Sequence, residues 1–493
     1  MHIDEEILNL LKIINGFFKS KRIQAFLVGG FVRDILLDRQ TNDIDIAFAG
    51  DLTVLGRELA DFLNGRYVLL DEENGIARVV IFRNSPEQSV KKQWYVDVSA
   101  FNGDITDDLR DRDFTIDAMA INLSTFIESP FSAEIIDPSG GRFDIDKGRI
   151  KQVSPEVFNS DPLRLLRAVR LKAEIGFEVE EETEKNMRQN SSLINNSAAE
   201  RIREEMVKIL AAARGGDCLQ YMDKLGLLTE IIPELEVMRG VEQPVEHHWD
   251  VYDHSLETVK AVEFIYRQKD LYYAPARLLE GIYWSNEIKE FFNSFVSENT
   301  SRLVLNKLAA LLHDIAKPQT KIIADNGKIR FYGHAGEGAE KAVEILERLR
   351  FSRKEINLVS AVIRHHMRPT QMSNEGLPSR RAVYRFFRDT AGAGLDVLFL
   401  SLADHLAARG PNLDSAQWER HVSQVNYILN EYFTEHELIT PPKLVDGHDL
   451  IRLFDMKPGR KLGETLEKVQ EAQASGEIKN RDEALSYIKN RLI

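Results

Sequence analysis

The first 150 residues alternate short apolar runs with amphipathic segments, a pattern typical of a mixed α/β fold. Strands are predicted near residues 24–28, 43–48, 67–70, 77–82 and 94–98, with helices after Gly30 and at about 53–64. From about residue 155 the spacing of apolar positions becomes helical almost to the end of the chain. We therefore predict an α/β head, with a mixed sheet and helices, followed by all-α regions.

Turn signals and the distribution of histidines divide the helical part of the chain. The predicted domains are the head at 1–150, a helical neck at 151–235, a histidine-bearing helical domain at 236–435 and a helical tail at 436–493. In the neck, apolar residues recur at helical intervals from Asp161 onward, and Gly176 is suited to the C-cap position.

Composition narrows the functional classes. The 493 residues are 43% apolar and 29% charged, and no run reaches the roughly 18 apolar residues of a membrane span. Residues 1–20 lack the apolar core of a signal peptide, so we predict a cytoplasmic protein without a membrane partner. The single cysteine, Cys218, excludes an intramolecular disulfide framework and a multi-cysteine zinc site.

The net charge of −14 argues against non-specific coating of nucleic acid, which depends on clustered cations. Arginines are nevertheless concentrated in the central stretch 164–203. A local basic groove therefore remains compatible with the acidic total charge.

The first candidate site begins with two glycines between a predicted strand and helix. Gly29 and Gly30 would let the backbone approach a phosphate, and Arg33 could add a charge-assisted contact to a triphosphate. Alone, such a turn is more often just a tight turn.

Two aspartates follow at strand spacing. Asp43 and Asp45 would lie on one face of a strand while their apolar neighbours pack into the core. Mg²⁺ prefers oxygen ligands from one or two carboxylates and substrate phosphates, so the pair predicts a catalytic magnesium site. A third catalytic carboxylate is predicted at Asp97, on a later strand that could lie beside the first; the alternative is an edge-strand aspartate facing solvent.

Two basic segments complete this set. Arg112 stands with Asp113 at the start of an apolar segment, and is a candidate nucleotide ligand. The segment from Asp161 carries arginines at three-residue intervals, Arg164, Arg167 and Arg170. Asp161 and Arg164 can present an acceptor and a fork of donors to one base edge, while the other two can reach phosphates. The alternative is a solvated basic helix face.

Together these segments resemble the class II tRNA nucleotidyltransferases, the bacterial CCA-adding enzymes, and the related bacterial poly(A) polymerases. Gly29–Asp45 is similar to the metal and triphosphate motif, Arg112–Thr115 to the ribose-selecting motif, Asp137–Gly141 to the hinge motif, Asp161–Arg170 to the motif that replaces a nucleic-acid template, and Ala199–Glu205 to the last structural motif. The resemblance implies addition of C and A to the tRNA 3′ end from CTP and ATP. It also implies that a helical tail contacts tRNA.

Three departures from the family pattern keep alternatives open. Ser160 stands where the family usually has glutamate, Asp111 stands where it usually has a second arginine, and the stretch between Asp97 and Arg112 is short. Members with a short stretch include enzymes that add only CC and need a separate A-adding enzyme. A poly(A) polymerase, an HD phosphohydrolase with a degenerate head and a catalytically silent RNA-binding protein are further alternatives.

A second set of candidate ligands lies in the histidine-bearing domain. Imidazoles and carboxylates on different helices are suitable ligands for Mn, Ni, Fe or Zn. The order of the clusters resembles the HD phosphohydrolase superfamily, which implies one metal held by His254, His313, Asp314 and Asp404, and a second by His334 and His365. Lys317 could contact a phosphate, and the metal would activate water against a phosphoester. The alternative is an HD fold kept only as a tRNA-binding shell.

Overall fold

The computed structural model describes residues 4–71, 75–83, 92–130, 132–372, 376–434 and 442–492. The chain forms two compact units, residues 1–197 and 198–493. This division falls inside the predicted neck, 151–235, so the first part of that segment folds with the head. The four predicted domains within these units stay a prediction.

A mixed seven-stranded sheet forms the centre of the first unit. Its strands are β1 (Ala25–Val28), β2 (Asp43–Ala49), β3 (Arg66–Asp71), β4 (Ile76–Arg83), β5 (Lys92–Phe101), β6 (Ala120–Asn122) and β7 (Ile135–Ile136). Their order is β3-β4-β5-β2-β1-β6-β7. Only the β2–β5 pair is parallel among these described strands. The predicted mixed sheet is confirmed.

Helices surround this sheet and continue beyond it. They are α1 (Glu5–Lys21), α2 (Gly29–Leu36), α3 (Leu52–Phe62), α4 (Ile105–Arg110), α5 (Leu123–Glu128), α6 (Gly141–Asp146), α7 (Val157–Ser160), α8 (Arg164–Ile175) and α9 (Glu181–Gln189). Two short strands, β8 (Arg149–Ile150) and β9 (Glu178–Val179), pair in parallel. Helix α8 ends where predicted, because Gly176 adopts the left-handed conformation with φ 74°.

The second unit is helical, as predicted. Its helices are α10 (Ala199–Ala211), α11 (Gly215–Lys224), α12 (Leu227–Ile231), α13 (Val251–Arg267), α14 (Asn286–Asn293), α15 (Arg302–Leu312), α16 (Lys317–Thr320), α17 (His334–Arg348), α18 (Arg353–His365), α19 (Arg368–Gln371), α20 (Arg380–Thr390), α21 (Gly394–Arg409), α22 (Ser415–Thr434), α23 (Gly447–Phe454), α24 (Arg460–Ala474) and α25 (Arg481–Arg491). Two small hairpins interrupt them: β10 (Phe295–Ser297) with β11 (Thr300–Ser301), and β12 (Lys321–Ile323) with β13 (Ile329–Phe331).

Helices α13, α15 and α21 pack against one another at the centre of this unit. A buried ion pair joins the first two: Lys307 Nζ on α15 lies 2.8 Å from Glu263 Oε1 on α13. The same ammonium donates to the carbonyls of Leu210 at 2.6 Å and Ala212 at 3.1 Å, at the end of α10. Burial lowers the pKa of Lys307 and raises that of Glu263, because removal from water disfavours either charge.

The tail forms a small apolar core of its own. Its buried residues are Val445, Leu450, Val469, Ala472, Ile478, Ala484 and Ile488. Polar contacts attach the tail to α20: Arg385 pairs with Glu471, and Tyr384 Oη donates to Gln470 Oε1 at 3.3 Å.

No helix in the described ranges has by itself both the length and the hydropathy that crossing a membrane requires. The helices Arg380–Thr390 and Gly394–Asn412, bent by 105° at their junction, reach that length and hydropathy only when taken together.

Candidate active site

The parallel pairing of β2 and β5 brings the three predicted carboxylates together. Ile44 and Ile46 are buried in the core, which turns Asp43 and Asp45 to the other face of the sheet. Asp45 stands directly opposite Asp97 in the register. The structure therefore places Asp97 on the strand beside the aspartate pair, which is one of the two arrangements that the sequence left open.

An arginine that the sequence reasoning missed holds this third carboxylate. Arg78 on β4 donates to both oxygens of Asp97, from Nε at 2.6 Å and from Nη2 at 2.7 Å. Its guanidinium also lies over the ring of Tyr95, 4.9 Å from the centroid. The signal in the sequence was an arginine inside an otherwise apolar strand. Because Arg78 occupies both oxygens of Asp97, Asp43 and Asp45 are the carboxylates better placed to hold a metal ion.

The glycine turn lies against Asp45. Helix α2 begins at Gly29, whose φ is 63°, and the Phe31 N–H donates to Asp45 Oδ2 at 3.2 Å. A Cβ on Gly29 would lie 2.9 Å from Arg112 Nη1 and 3.3 Å from Asp45 Oδ2. Only glycine therefore combines this backbone conformation with such close approach of a cation and a carboxylate.

The electrostatics of these residues fit a divalent cation. Burial and the neighbouring charge of Asp97 raise the pKa of Asp45 to about 6, against the opposing effects of Arg112 and the Phe31 N–H. Burial and the charge of Asp97 both disfavour the ionised carboxylate, and a bound divalent cation would offset both. Carboxylate oxygens of this kind are ligands that Mg²⁺ prefers.

Arg33 and Arg112, the predicted nucleotide-binding arginines of the head, differ in their surroundings. Arg33 is buried, and donates to Asp117 Oδ1 at 2.8 Å and to Asp34 Oδ1 at 3.0 Å. These contacts attach Arg33 to neighbouring carboxylates, and its predicted triphosphate contact stays a prediction. Arg112 is more exposed, bonds Asp108 Oδ2 at 3.1 Å, and is the arginine beside Gly29.

The predicted base-selecting residues lie where α7 ends and α8 begins. Asp161 Oδ1 accepts from the Leu163 N–H at 3.1 Å. Arg164 donates from Nη1 to Ser160 Oγ at 3.1 Å and from Nη2 to the carbonyl oxygen of Asp111 at 3.2 Å. The guanidinium of Arg164 is thus attached to the segment that precedes Arg112.

A second arginine of α8 joins the same segment. Arg167 Nε donates to Asp113 Oδ2 at 2.6 Å, while Asp113 Oδ1 accepts from the Phe114 N–H at 2.9 Å. Although burial opposes it, the charges of Arg167 and Arg164 lower the pKa of Asp113. Arg167 therefore couples α8 to the segment Arg112–Thr115, which the sequence did not predict. Arg170 Nε lies 3.9 Å from Glu174 Oε1.

The histidines of the second unit share a local arrangement. The Nδ1–H of His313, His334 and His366 donates in each case to a carbonyl three residues earlier, at 2.7–2.8 Å. This contact fixes the tautomer and leaves Nε2 as the acceptor, as in many metal-binding histidines. The Nε2 atoms converge: His254 and His313 are 3.2 Å apart, and His334 and His366 are 3.4 Å apart.

Carboxylates complete two overlapping ligand groups. The first group contains His254, His313 and Asp404, and the second contains His313, Asp314 and His366. Within each group, the potential ligand atoms all lie within 4.8 Å of one another. The second group corrects a prediction, because His366 and not His365 faces the cluster. Burial and the charge of Arg368 lower the pKa of His365, and the charge of Asp389 opposes them.

The charge distribution of the cluster also fits a cation. Both oxygens of Asp314 are buried without a hydrogen bond of good geometry, although Lys317 Nζ lies 2.6 Å from Oδ2. Burial opposes protonation of His313, but Asp314 and Asp404 outweigh it and raise its pKa to about 10. These two carboxylates thus give the cluster a negative charge that a bound metal ion would neutralise. Lys317 also donates to Gln243 Oε1 at 2.6 Å.

Four family models match successive parts of the chain. They are "Poly A polymerase head domain" at 25–151, "Probable RNA and SrmB- binding site of polymerase A" at 176–238, "HD domain" at 251–409 and "tRNA nucleotidyltransferase domain 2 putative" at 331–488. The aspartate pair and Arg112 fall within the first of these and the histidine cluster within the third, while Asp161–Arg170 lies between the first two matches.

Similar proteins cover nearly the whole chain. An A-adding tRNA nucleotidyltransferase of Deinococcus radiodurans is 30% identical over 94% of this chain and 95% of its own length. A CC-adding tRNA nucleotidyltransferase of Thermus thermophilus is 28% identical over 94% and 93%. A multifunctional CCA protein of Neisseria gonorrhoeae is 29% identical over 70% and 74%. The fold is that of a Thermotoga maritima CCA-adding enzyme solved with tRNA, with TM-score 0.60, 22% identity, and 100% and 97% coverage.

Proposed function

We propose, from the family of tRNA nucleotidyltransferases to which this chain belongs, that it extends the tRNA 3′ end with C and A from CTP and ATP, without a nucleic-acid template. The observation that carries the proposal is the convergence of Asp45 and Arg112 at the Gly29 turn, with Asp43 on the same face of β2 as Asp45. Such a site suits a nucleotide triphosphate and a divalent cation. We also propose that the protein acts in the cytoplasm, where tRNA ends are processed.

The reaction joins the tRNA 3′-oxygen to the α-phosphorus of the nucleotide and breaks the bond to the β-phosphate, releasing pyrophosphate. Asp43 and Asp45 would hold Mg²⁺, which lowers the pKa of the attacking hydroxyl and offsets the charge of the leaving group. Arg112 holds the triphosphate beside the glycine turn. The buried pair of Arg33 with Asp117 and the partly exposed pair of Arg78 with Asp97 keep α2 and the strands in place around it.

Base selection is assigned to the start of α8. Asp161 and Arg164 present an acceptor and donors to the base edge, and Arg167 fixes their helix to Asp113. Selection of both C and A requires the side chains of Asp161 and Arg164 to adopt two different arrangements. Addition of CCA is supported by the likeness to the multifunctional CCA protein, while the likenesses to A-adding and CC-adding enzymes define the outcomes that a test must separate.

The test uses three tRNA substrates, ending before the first C, after CC and after a single C, each incubated with CTP, ATP or both. Complete CCA ends formed with both nucleotides are the expected result. Products that stop at CC would require a separate A-adding enzyme, and extension of only the CC-ending tRNA would define an A-adding enzyme. Either result would overturn the proposed CCA addition.

A variant pair connects this activity to the site. Asp43→Ala with Asp45→Ala is expected to abolish extension, because both carboxylate ligands are lost. Asp61→Ala, an exposed aspartate on α3 of the same unit, serves as the matched control and should retain activity. Extension that survives the double substitution would contradict the assignment of the metal ligands.

A second activity is supported by the histidine cluster. We propose that His254, His313, Asp314 and Asp404 hold a transition metal, Mn, Ni, Fe or Zn, and that His334 and His366 complete a second position. The metal would supply an activated water for hydrolysis of a phosphoester, such as a 2′,3′-cyclic phosphate at a damaged tRNA end. Lys317 would neutralise the phosphate. The convergence of buried imidazole and carboxylate ligands around His313 favours this activity over a fold kept only as a shell.

This activity is tested with 2′,3′-cyclic CMP as the probe and added Mn²⁺ or Ni²⁺. His313→Ala should abolish hydrolysis and lower the metal content of the purified protein. His448→Ala, an exposed histidine of the tail, should change neither. Hydrolysis unaffected by His313→Ala would count against the proposed metal centre.

A further inference from the structure

Two departures from the family pattern meet at one side chain. Ser160 stands where the family usually has glutamate, and Asp111 where it usually has a second arginine, yet both contact Arg164. The two positions belong to different segments, and Asp111 is 53 residues before Arg164. The arginine assigned to base selection is therefore held by the side chain of Ser160 and by the backbone carbonyl of Asp111.

The contacts leave little freedom to the guanidinium. Nη1 donates to Ser160 Oγ at 3.1 Å and, over a longer distance of 3.5 Å, to the Val157 carbonyl oxygen, while Nη2 donates to the Asp111 carbonyl oxygen at 3.2 Å. Ser160 Oγ in turn donates to the Val157 carbonyl at 3.0 Å, which leaves its lone pairs toward Arg164. A planar guanidinium held on two different nitrogens cannot rotate about its last bonds without losing one contact.

We propose that Ser160 is a positioning residue for nucleotide selection, acting through Arg164. Its hydroxyl and the Asp111 carbonyl together fix the plane in which Arg164 presents donors to the incoming base. A neutral acceptor does this without drawing the guanidinium into a full ion pair. This inference rests on the proposed base-selecting role of Arg164.

The test compares Ser160→Ala with Ser160→Thr, which keeps the hydroxyl. Steady-state extension of tRNA is measured with CTP, ATP, UTP and GTP separately. Ser160→Ala is expected to lower kcat/KM for CTP and ATP about tenfold, mainly through KM, and to raise the relative use of UTP and GTP by a similar factor. Ser160→Thr should restore the selectivity of the parent protein.

A neighbouring residue supplies the matched control. Asn159 is exposed on the same short helix, where its amide reaches only Glu156 among the described hydrogen bonds. Asn159→Ala should therefore leave the order of preference among the four nucleotides unchanged. Ser160 is exposed, so thermal unfolding of its variants should match that of the parent protein.

Three results would overturn the inference. They are unchanged selectivity in Ser160→Ala, an equal loss of rate with all four nucleotides, and the same change of selectivity in Asn159→Ala. Failure of the parent protein to extend any tRNA end would instead overturn the proposed function, and the role of Ser160 with it.

Discussion

The buried Lys307 offers a sharp test of how the helices of the second unit are held together. Its three ammonium hydrogens are matched by three acceptors: Glu263 Oε1 and the carbonyls of Leu210 and Ala212. Lys307→Met fills a similar volume but supplies no donor. The substitution leaves a buried carboxylate unpaired, although Gly216 N–H still donates to it at 3.1 Å.

The expected loss can be worked from this geometry. Removing one partner of a buried ion pair costs about 3–5 kcal/mol, because the remaining charge is desolvated without compensation. For a unit of this size, roughly 2 °C of melting temperature is lost per kcal/mol, which predicts a decrease of about 6–10 °C. Since burial already raises the pKa of Glu263, the loss should be smaller at pH 5, where protonation relieves the unpaired charge, than at pH 8.

Calorimetry of the full chain measures this loss, and hydrogen exchange of residues 199–211 and 302–312 locates it. Lys289→Met, at an exposed lysine on α14, is the control and should shift stability by less than about 0.5 kcal/mol. The double variant Lys307→Met with Glu263→Leu should recover most of the loss, because no charge remains unpaired. A single variant as stable as the parent, or a double variant no better than the single, would refute the reasoning.

Three further outcomes are expected. Gly29→Ala should lower kcat/KM for nucleotide addition at least about tenfold, since its Cβ would displace Arg112, while unfolding changes by only about 1 kcal/mol. Arg78→Ala should weaken activity, and Arg78→Lys should restore part of it. In a protein that already carries Asp97→Asn, Arg78→Ala should cost less activity than it does in the parent. An equal cost in both backgrounds would show that the two residues do not act as a pair. Burial raises the pKa of Asp396 to about 6, despite its arginine partner, so its stabilising contribution is complete below pH 4 and is lost as pH rises through 6. Relative to Asp396→Asn, the parent should lose about 3 kcal/mol over that window in denaturant titrations; a constant difference would disprove it.

The α/β head could be predicted because its strands follow simple rules of periodicity. Apolar residues at 44 and 46 fix which face of β2 is buried, and so determine where Asp43 and Asp45 point. The position of Gly176 likewise predicts where α8 ends. The pairing of β2 with β5 is a contact between distant segments, and strand spacing alone gave it only as a possibility.

The remaining site residues depend on helix phase and on tertiary partners. Adjacent helical positions differ by about 100° around the axis, so the sequence His365-His366 does not reveal which imidazole faces the cluster. Arg33 looked suited to phosphate, but its buried partner Asp117 comes from another segment. The roles of Arg78 and Asp113 follow from partners across the sheet and from α8, which no local pattern encodes.

The parallel register of β2 and β5 also limits how this chain can diverge during evolution. Asp45 and Asp97 face each other only while both strands keep the same parity of residues. An insertion of one residue before Asp97 within β5 would turn it to the opposite face and expose an apolar neighbour to solvent, whereas length changes between the strands preserve the pairing. Relatives should therefore accumulate insertions in the connections and almost none inside these two strands.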